Sequence, residues 1–325
     1  VNVTVEPIPL AEYQAYMTAY RYAAQRIVTP QRVRDVFSHL VISDPVLKQL
    51  GPAITDAHSM FMYGPPGNGK TAVAQAIHHL LEDEIAIPHA IDVNGHIIRV
   101  FDSASHQVIE EDSLERQWVR CRRPMMTVGG ELSLAAFELT YDASAGVYRA
   151  PVQVVANGGL LVIDDVGRQR CTPRDLLSRW IGPLESRVDY LTLATGQSFE
   201  LPLALMVVFA TNLEPSTLVD EAFLRRIHYK IFTDNPTPQA FRDIFKRCCE
   251  RQDVPYDETL VDDLIEGFYR PRGVALRGCQ PGDLIARALA RAEHLGEPRR
   301  LTNDLLQSAC AGYFVDETET TPHYA

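Results

Sequence analysis

Long apolar runs are missing from this chain. The longest, Leu203–Ala210, falls far short of the ~18 residues that a membrane-spanning helix needs, which excludes a protein built on transmembrane helices. Surplus positive charge is missing too. There are 31 basic side chains against 42 acidic ones, a net charge of −11, so a broadly cationic surface for nucleic acid is excluded and only a local basic groove stays open. Cys-x-x-Cys spacing is absent from the cysteines, Cys121, Cys171, Cys248, Cys249, Cys279 and Cys310. They read as reduced core thiols of a cytoplasmic protein, not as a zinc site or a disulfide framework. The start shows no basic stretch followed by an apolar one, so no secretory leader is expected. Internal repeats and low-complexity stretches are absent as well. What remains is an ordinary globular composition of 325 residues, room for about two domains at roughly 150 residues each and for a core that needs no covalent staple.

One segment dominates what is present. Gly64-Pro65-Pro66-Gly67-Asn68-Gly69-Lys70-Thr71 fits the spacing G-x-x-x-x-G-K-[ST]. Its glycines let the backbone curl so that several N–H groups face one anion. The Lys70 ammonium would neutralise the β- and γ-phosphates, and the Thr71 hydroxyl would bind Mg²⁺. The flanks suit this reading. Ser59–Tyr63 is a short apolar run fit for a buried strand. Val73, Ile77, Leu80 and Leu81 recur at helical spacing over Thr71–Asp83, which aims a helix N-terminus at the phosphates. The segment strongly resembles a Walker A motif.

A nucleotide-hydrolysing site also needs a carboxylate for the metal and a group to orient water. Leu160-Leu161-Val162-Ile163-Asp164-Asp165 resembles a Walker B motif, an apolar strand ending in two acids. Asp164 would hold Mg²⁺ and Asp165 would polarise the attacking water. Most such motifs carry Glu as the second acid. Asp is one methylene shorter, which predicts slower hydrolysis. Met206–Ala210 is a further buried-strand run followed by Thr211-Asn212, and Asn212 resembles the sensor 1 amide. Asp220-Glu221-Ala222-Phe223-Leu224-Arg225-Arg226-Ile227 looks like a segment that carries an arginine finger. Arg226, directly before the strand Ile227–Phe232, is the favoured finger, with Arg225 as its substitute.

These four segments follow one another in the order of the AAA+ ATPases, and the chain resembles that family over at least Ser59–Phe232. The resemblance implies an α/β three-layer sandwich with a five-stranded parallel sheet and a small C-terminal helical lid. It implies three regions: an N-terminal helical segment (1–50), an ATPase core with inserted hairpins (51–234) and a lid (235–325). Apolar spacing near 3.6 over Gln239–Glu250, Glu258–Tyr269, Asp283–Leu295 and Thr302–Tyr313 fits the lid. Where the lid of this family often carries a sensor 2 arginine, the chain has Gly282, and Arg277 or Arg287 would have to substitute. Upstream, Ala11–Arg26 reads as an amphipathic helix, Gln31–Gly51 has apolar residues near helical spacing, and the resemblance puts Val41–Ile42 near the adenine. The polar end Asp316–Ala325 reads as frayed.

Further features narrow the branch. Asp189–Leu201 alternates, turns at Gly196 and alternates again, a hairpin signal. A hairpin just before the sensor strand marks the AAA+ branch of magnesium chelatase, MoxR-type chaperones and sigma-54 activators. Asp92–Pro151 contains Asn94-Gly95, the strongest short hairpin signal, and a second hairpin candidate, Phe137–Tyr141 with Val147–Arg149. The stretch resembles an insert within the second helix, and Pro151–Ala156 reads as a short helix behind it. The loop typical of sigma-54 activators is absent, and the nearest likeness is to bacterial MoxR-like ATP-binding proteins. After Walker B, Thr172 suits a helix N-cap and Pro173 the first helical position. Arg168 and Arg170 could face a neighbour's nucleotide or solvent alike.

The expected function is that of a Mg²⁺-dependent ATPase whose cofactors are ATP and Mg²⁺. It would form a homo-oligomeric ring, a hexamer, and remodel a protein client. Two other functions stay open. One is a nucleotide-gated scaffold with very slow turnover, motivated by Asp165 and Gly282. The other is a DNA-acting motor, against which the net charge counts.

Overall fold

The computed structural model describes residues 6–23, 27–57, 59–81, 83–110, 117–218 and 221–314. Asp220, the end of the helix expected over Ala11–Arg26 and the tail Asp316–Ala325 lie outside them. The chain divides into two compact units. One holds 1–64 with 70–233, and the other holds 234–325 together with the five loop residues Pro65–Gly69.

The first unit is built on a five-stranded sheet whose neighbours are all parallel. In chain order its strands are β1 (Met60–Tyr63), β2 (Met125–Val128), β3 (Leu160–Ile163), β4 (Met206–Thr211) and β5 (Tyr229–Phe232), and their order across the sheet is β5-β1-β4-β3-β2. Alternate residues of a strand face opposite sides, and here both sides are apolar, as a sheet covered on two faces requires. Met60, Met62, Leu160, Val162, Met206 and Val208 pack on one side against Val73, Ala74 and Ile77 of helix α1 (Lys70–Leu80). Phe61, Leu161, Ile163, Val207 and Phe209 pack on the other against Leu176, Leu177 and Trp180 of α2 (Pro173–Ser186). The Thr172 hydroxyl accepts from Asp175 N at 3.1 Å, so the expected N-cap forms. The sandwich is the α/β fold expected from the sequence.

Near the N-terminus, a helix over Leu10–Ala23 is followed by Pro30–Phe37 and Asp44–Thr55, two helices where a single apolar pattern was read. Both expected hairpins of the 92–151 stretch form. Ala90–Val93 pairs with His96–Arg99 through Asn94 and Gly95, both with positive φ. Thr140–Asp142 pairs with Val147–Arg149. The stretch is not one continuous insert, however. Strand β2 of the central sheet runs through it, placing the first hairpin before β2 and the second between β2 and β3. The second hairpin also starts later than expected, because Leu134–Phe137 is a 3₁₀ turn whose Phe137 packs edge-on against Trp180. Val188–Thr192 and Ser198–Pro202 form the expected antiparallel hairpin before β4.

In the second unit, α3 (Pro238–Arg251), α4 (Glu258–Leu264), α5 (Gln280–Leu295) and α6 (Asn303–Tyr313) enclose an apolar core around Phe241, Phe245, Val261, Leu284, Ile285, Leu289 and Leu306. A π-helical turn over Ile265–Tyr269 continues α4. These are the helices the sequence predicted, with boundaries shifted by a few residues.

Candidate functional site

Strand β1 delivers the chain to Gly64, which only glycine can occupy. Its φ is +137°, and a Cβ would lie 2.2 Å from Thr233 O. Gly67 and Gly69 also take positive φ, +78° and +77°, so the backbone curls as an anion cradle must. Pro65 and Pro66 have no N–H, so the N–H groups of the segment begin at Gly67 and run through Thr71. Helix α1 starts at Lys70, so its N-terminal end follows directly on the loop.

Within the first unit, five expected side chains come together at the C-terminal ends of β3 and β4 and the start of α1. Lys70 is 7 % exposed, and its Nζ donates to Gly64 O at 2.9 Å. Burial pushes the Lys70 pKa down from its ordinary value, while the Asp164 and Asp165 carboxylates pull it back up. Thr71 Oγ1 donates to Asp164 Oδ2 at 2.7 Å. Asp165 N donates to Asp164 Oδ1 at 2.8 Å, and Asn212 Nδ2 donates to Asp165 Oδ1 at 3.0 Å. Asp165 has φ +52°, a left-handed conformation that is uncommon outside glycine and that the surrounding bonds must hold. Asp164 N donates to Val128 O at 2.8 Å, extending the β2–β3 ladder to the first acid. Thr211 Oγ1 donates to Val166 O at 2.7 Å and accepts from Leu213 N at 3.1 Å, fixing the turn that presents Asn212.

The arginines are engaged elsewhere in the same unit. Arg226 Nε donates to Glu185 Oε1 on α2 at 2.7 Å, and Arg225 Nη2 donates to Glu221 Oε1 at 3.0 Å. Arg226 is 29 % exposed and Arg225 75 %, so Arg225 is the more loosely held of the two.

Loop residues 65–69 carry their own contacts in the second unit. Asn68 Nδ2 donates to Asn235 Oδ1 at 2.9 Å, and Asn68 Oδ1 accepts from Gly278 N at 3.1 Å. Gly67 O accepts from Cys279 N at 2.8 Å. Of the two arginines weighed for sensor 2, Arg277 lies against the loop, its Cβ and Cδ both 3.7 Å from where a Gly67 Cβ would sit. Arg287 lies over the Tyr313 ring at 5.4 Å. A side chain at Gly282 would begin 3.8 Å from Cys248 Sγ.

Motif reading missed several partners. Gln169 Nε2 donates to Asp164 O at 2.7 Å while its Oε1 accepts from Gly167 N at 2.8 Å, bracing the loop after β3. Glu185 and Asn235 were also missed. The only sequence signal for Gln169 is its place in the Gly167-Arg168-Gln169-Arg170 turn, and Glu185 and Asn235 carry none.

The donor set suits a magnesium ion. Thr71 and Asp164 offer two hard oxygens in contact, and no group of three or more His, Cys, Asp or Glu among the described residues could hold a metal by itself. Mg²⁺ takes one or two protein oxygens and completes its shell with water and phosphate. Among the described residues no helix is long and apolar enough to cross a membrane.

The family model for magnesium chelatase, subunit ChlI, matches residues 45–226. A model described as a domain of unknown function (DUF8689) matches residues 237–312. No curated protein matches the sequence. Among solved structures, a mutant of RuvB from Thermotoga maritima aligns with a TM-score of 0.52 at 16 % identity, over 85 % of this chain and 71 % of that one. NtrX from Brucella abortus in complex with ADP aligns with a TM-score of 0.52 at 14 % identity, over 86 % of this chain and 58 % of that one. At such identities the likeness is one of fold.

Proposed function

Since the chain belongs to the magnesium chelatase subunit ChlI family and has the fold of an AAA+ P-loop ATPase, we propose that it binds and hydrolyses ATP with Mg²⁺ and works as a ring-forming, MoxR-like remodelling motor on a protein client. The observation that carries this reading is the convergence of Thr71 on Asp164 at 2.7 Å with Asn212 on Asp165 at 3.0 Å. The first pair is a metal seat and the second a means to orient water, side by side at the start of α1 and the C-terminal ends of the adjacent strands β3 and β4.

Bound Mg²⁺ would draw charge off the β- and γ-phosphate oxygens. The loop amides and Lys70 hold the phosphates in one place. Thr71 and Asp164 would hold the ion. Asp165 accepts a hydrogen bond from the attacking water and, with Asn212 fixing its carboxylate, aims it at the γ-phosphorus. Arg226 pairs with Glu185 on α2, which supports a role at a neighbouring subunit's nucleotide once Glu185 releases it. The partition into N-terminal segment, ATPase core and lid, with Val41–Ile42 by the adenine, belongs to the same proposal. The acidic balance of the whole chain supports a protein client over nucleic acid.

A slow-turnover, nucleotide-gated scaffold is the second reading. Asp165 is short and already occupied by Asn212, which favours it. Steady-state ATP hydrolysis against protein concentration separates the two, with Asp165→Asn and Arg226→Ala beside wild type. The motor reading expects specific activity to rise with concentration, and both variants to fall by about 10²–10⁴-fold while still binding ATP. Wild-type turnover no faster than the variants would sink it and leave the scaffold.

A further inference from the structure

The Asn68 side chain lies within the phosphate loop, yet both of its polar atoms are turned away from the cradle. Its orientation is unambiguous. Gly278 N–H can only donate, so the Asn68 atom facing it at 3.1 Å is the amide oxygen. The Asn68 amide nitrogen then faces Asn235 and donates to Oδ1 at 2.9 Å. A third bond, Cys279 N to Gly67 O at 2.8 Å, lies one residue along on both strands of the contact. The two segments approach closely, and side chains have little room on either side. A Cβ at Gly67 would lie 2.6 Å from Cys279 Sγ, and one at Gly278 would lie 3.2 Å from Gly67 O. All of these residues belong to the second compact unit.

We propose that Asn68 is a positioning residue for nucleotide binding: with Asn235 and the Gly278 amide it clamps the phosphate loop in its binding-ready curl before the ligand arrives. The inference rests on the reading of Gly64–Thr71 as the nucleotide cradle. Its physics is pre-organisation. The six-residue loop Gly64–Gly69, with its three glycines, loses much backbone freedom when it orders around phosphate. The clamp fixes the Asn68 peptide, and so the direction of the Asn68 and Gly69 N–H groups, ahead of binding. Binding then meets less of the ordering cost. The acting groups are the loop amides. Asn235 supports them from outside the cradle.

A double-mutant cycle on the full chain tests the clamp, with Asn68→Ala, Asn235→Ala and the double variant titrated with ADP and with ATP. Lys70→Ala serves as the control for the cradle itself. Net hydrogen-bond contributions predict that each single variant weakens both nucleotides by about ten-fold. The double variant should be no weaker than the worse single, because both delete one device. The unfolding midpoint of the nucleotide-free protein should move by no more than about 2 °C, which a merely structural role would not give. Wild-type affinity in either single variant, or losses that multiply in the double, overturns the clamp. So does an affinity loss matched by a fall in the nucleotide-free midpoint. If Lys70→Ala also binds nucleotide as wild type does, the cradle reading fails first, and the two failures are told apart.

Discussion

Lys70 sits between two opposed effects. Burial favours its neutral form, and Asp164 and Asp165 favour its ammonium. The ammonium is the form that can meet a phosphate, so the two acids work against burial in its favour. Truncating it removes a charge-assisted bond of ~1.5–3 kcal/mol, so Lys70→Ala is expected to weaken ATP binding by roughly 10- to 100-fold in a direct titration. An unchanged affinity would remove the loop from the site. Lys70, Thr71, Asp164, Asp165 and Asn212 were legible in the sequence because each lies at a fixed offset from a glycine turn or at the end of an apolar strand. Gln169, Glu185 and Asn235 were not. Glu185 meets Arg226, 41 positions away, and Asn235 meets Asn68, 167 positions away; no local spacing encodes a partner that only folding brings near.

At the scale of elements, the strands most easily read were those with uninterrupted apolar runs, β3 and β4. Strand β2 was hidden because Met125–Val128 is four residues long, borders Pro124 and Gly129, and only Val128 in it is buried. Its identity comes from its neighbour β3, to which it is hydrogen-bonded in parallel register. The hairpins were legible from their turns, yet what joins them was not. Asp189, 2 % exposed, accepts from Arg179 Nη1 at 2.7 Å and from Gln153 Nε2 at 2.8 Å. One buried carboxylate thus ties the hairpin before β4 to α2 and to the short helix before β3. Arg179 is partly exposed and keeps Glu138 at 3.1 Å when Asp189 is removed, so the loss falls below the ~3–5 kcal/mol of a fully buried pair, and Asp189→Ala is expected to lower the unfolding midpoint by roughly 5 °C. A shift of a degree or two in calorimetry would show the pair to be dispensable.

His106 gives the same elements a pH dependence. Its Nδ1 accepts from Asp102 N at 2.9 Å, so its Nε2 carries the proton and donates to Val155 O at 2.8 Å. Both bonds suit the neutral ring, and burial lowers its pKa from 6.5. The unfolded chain therefore binds more protons than the folded one at acid pH, and stability falls as pH drops through the unfolded value. His89, also lowered by burial and set edge-on to Phe101, adds in the same direction. Unfolding midpoints between pH 8 and pH 5 should decline for wild type and decline less for His106→Gln. Parallel profiles would show that His106 does not titrate on unfolding.

For the whole molecule, the decisive question is whether one chain can complete a site. Within the first unit Lys70, Thr71, Asp164, Asp165 and Asn212 gather at one place, but Arg226 is paired with Glu185, which is 54 % exposed. A half-exposed ion pair is weak, ~0–1 kcal/mol, so the Glu185 contact is itself a small barrier to a neighbour's phosphates. A ring in which each subunit supplies an arginine to the next repeats one head-to-tail contact. That geometry makes a prediction no single-chain enzyme shares. Asp165→Asn keeps its arginine and loses its water-orienting acid, while Arg226→Ala keeps the acid and loses the arginine. In an equal mixture, about one interface in four pairs an intact acid with an intact arginine if subunits assemble at random. Two inactive preparations should therefore regain roughly a quarter of wild-type hydrolysis when mixed before assembly, and none when mixed at concentrations too low to assemble. Persistent inactivity under assembling conditions would mean that Arg226 serves its own chain, and the motor would then have to be rebuilt without a shared site.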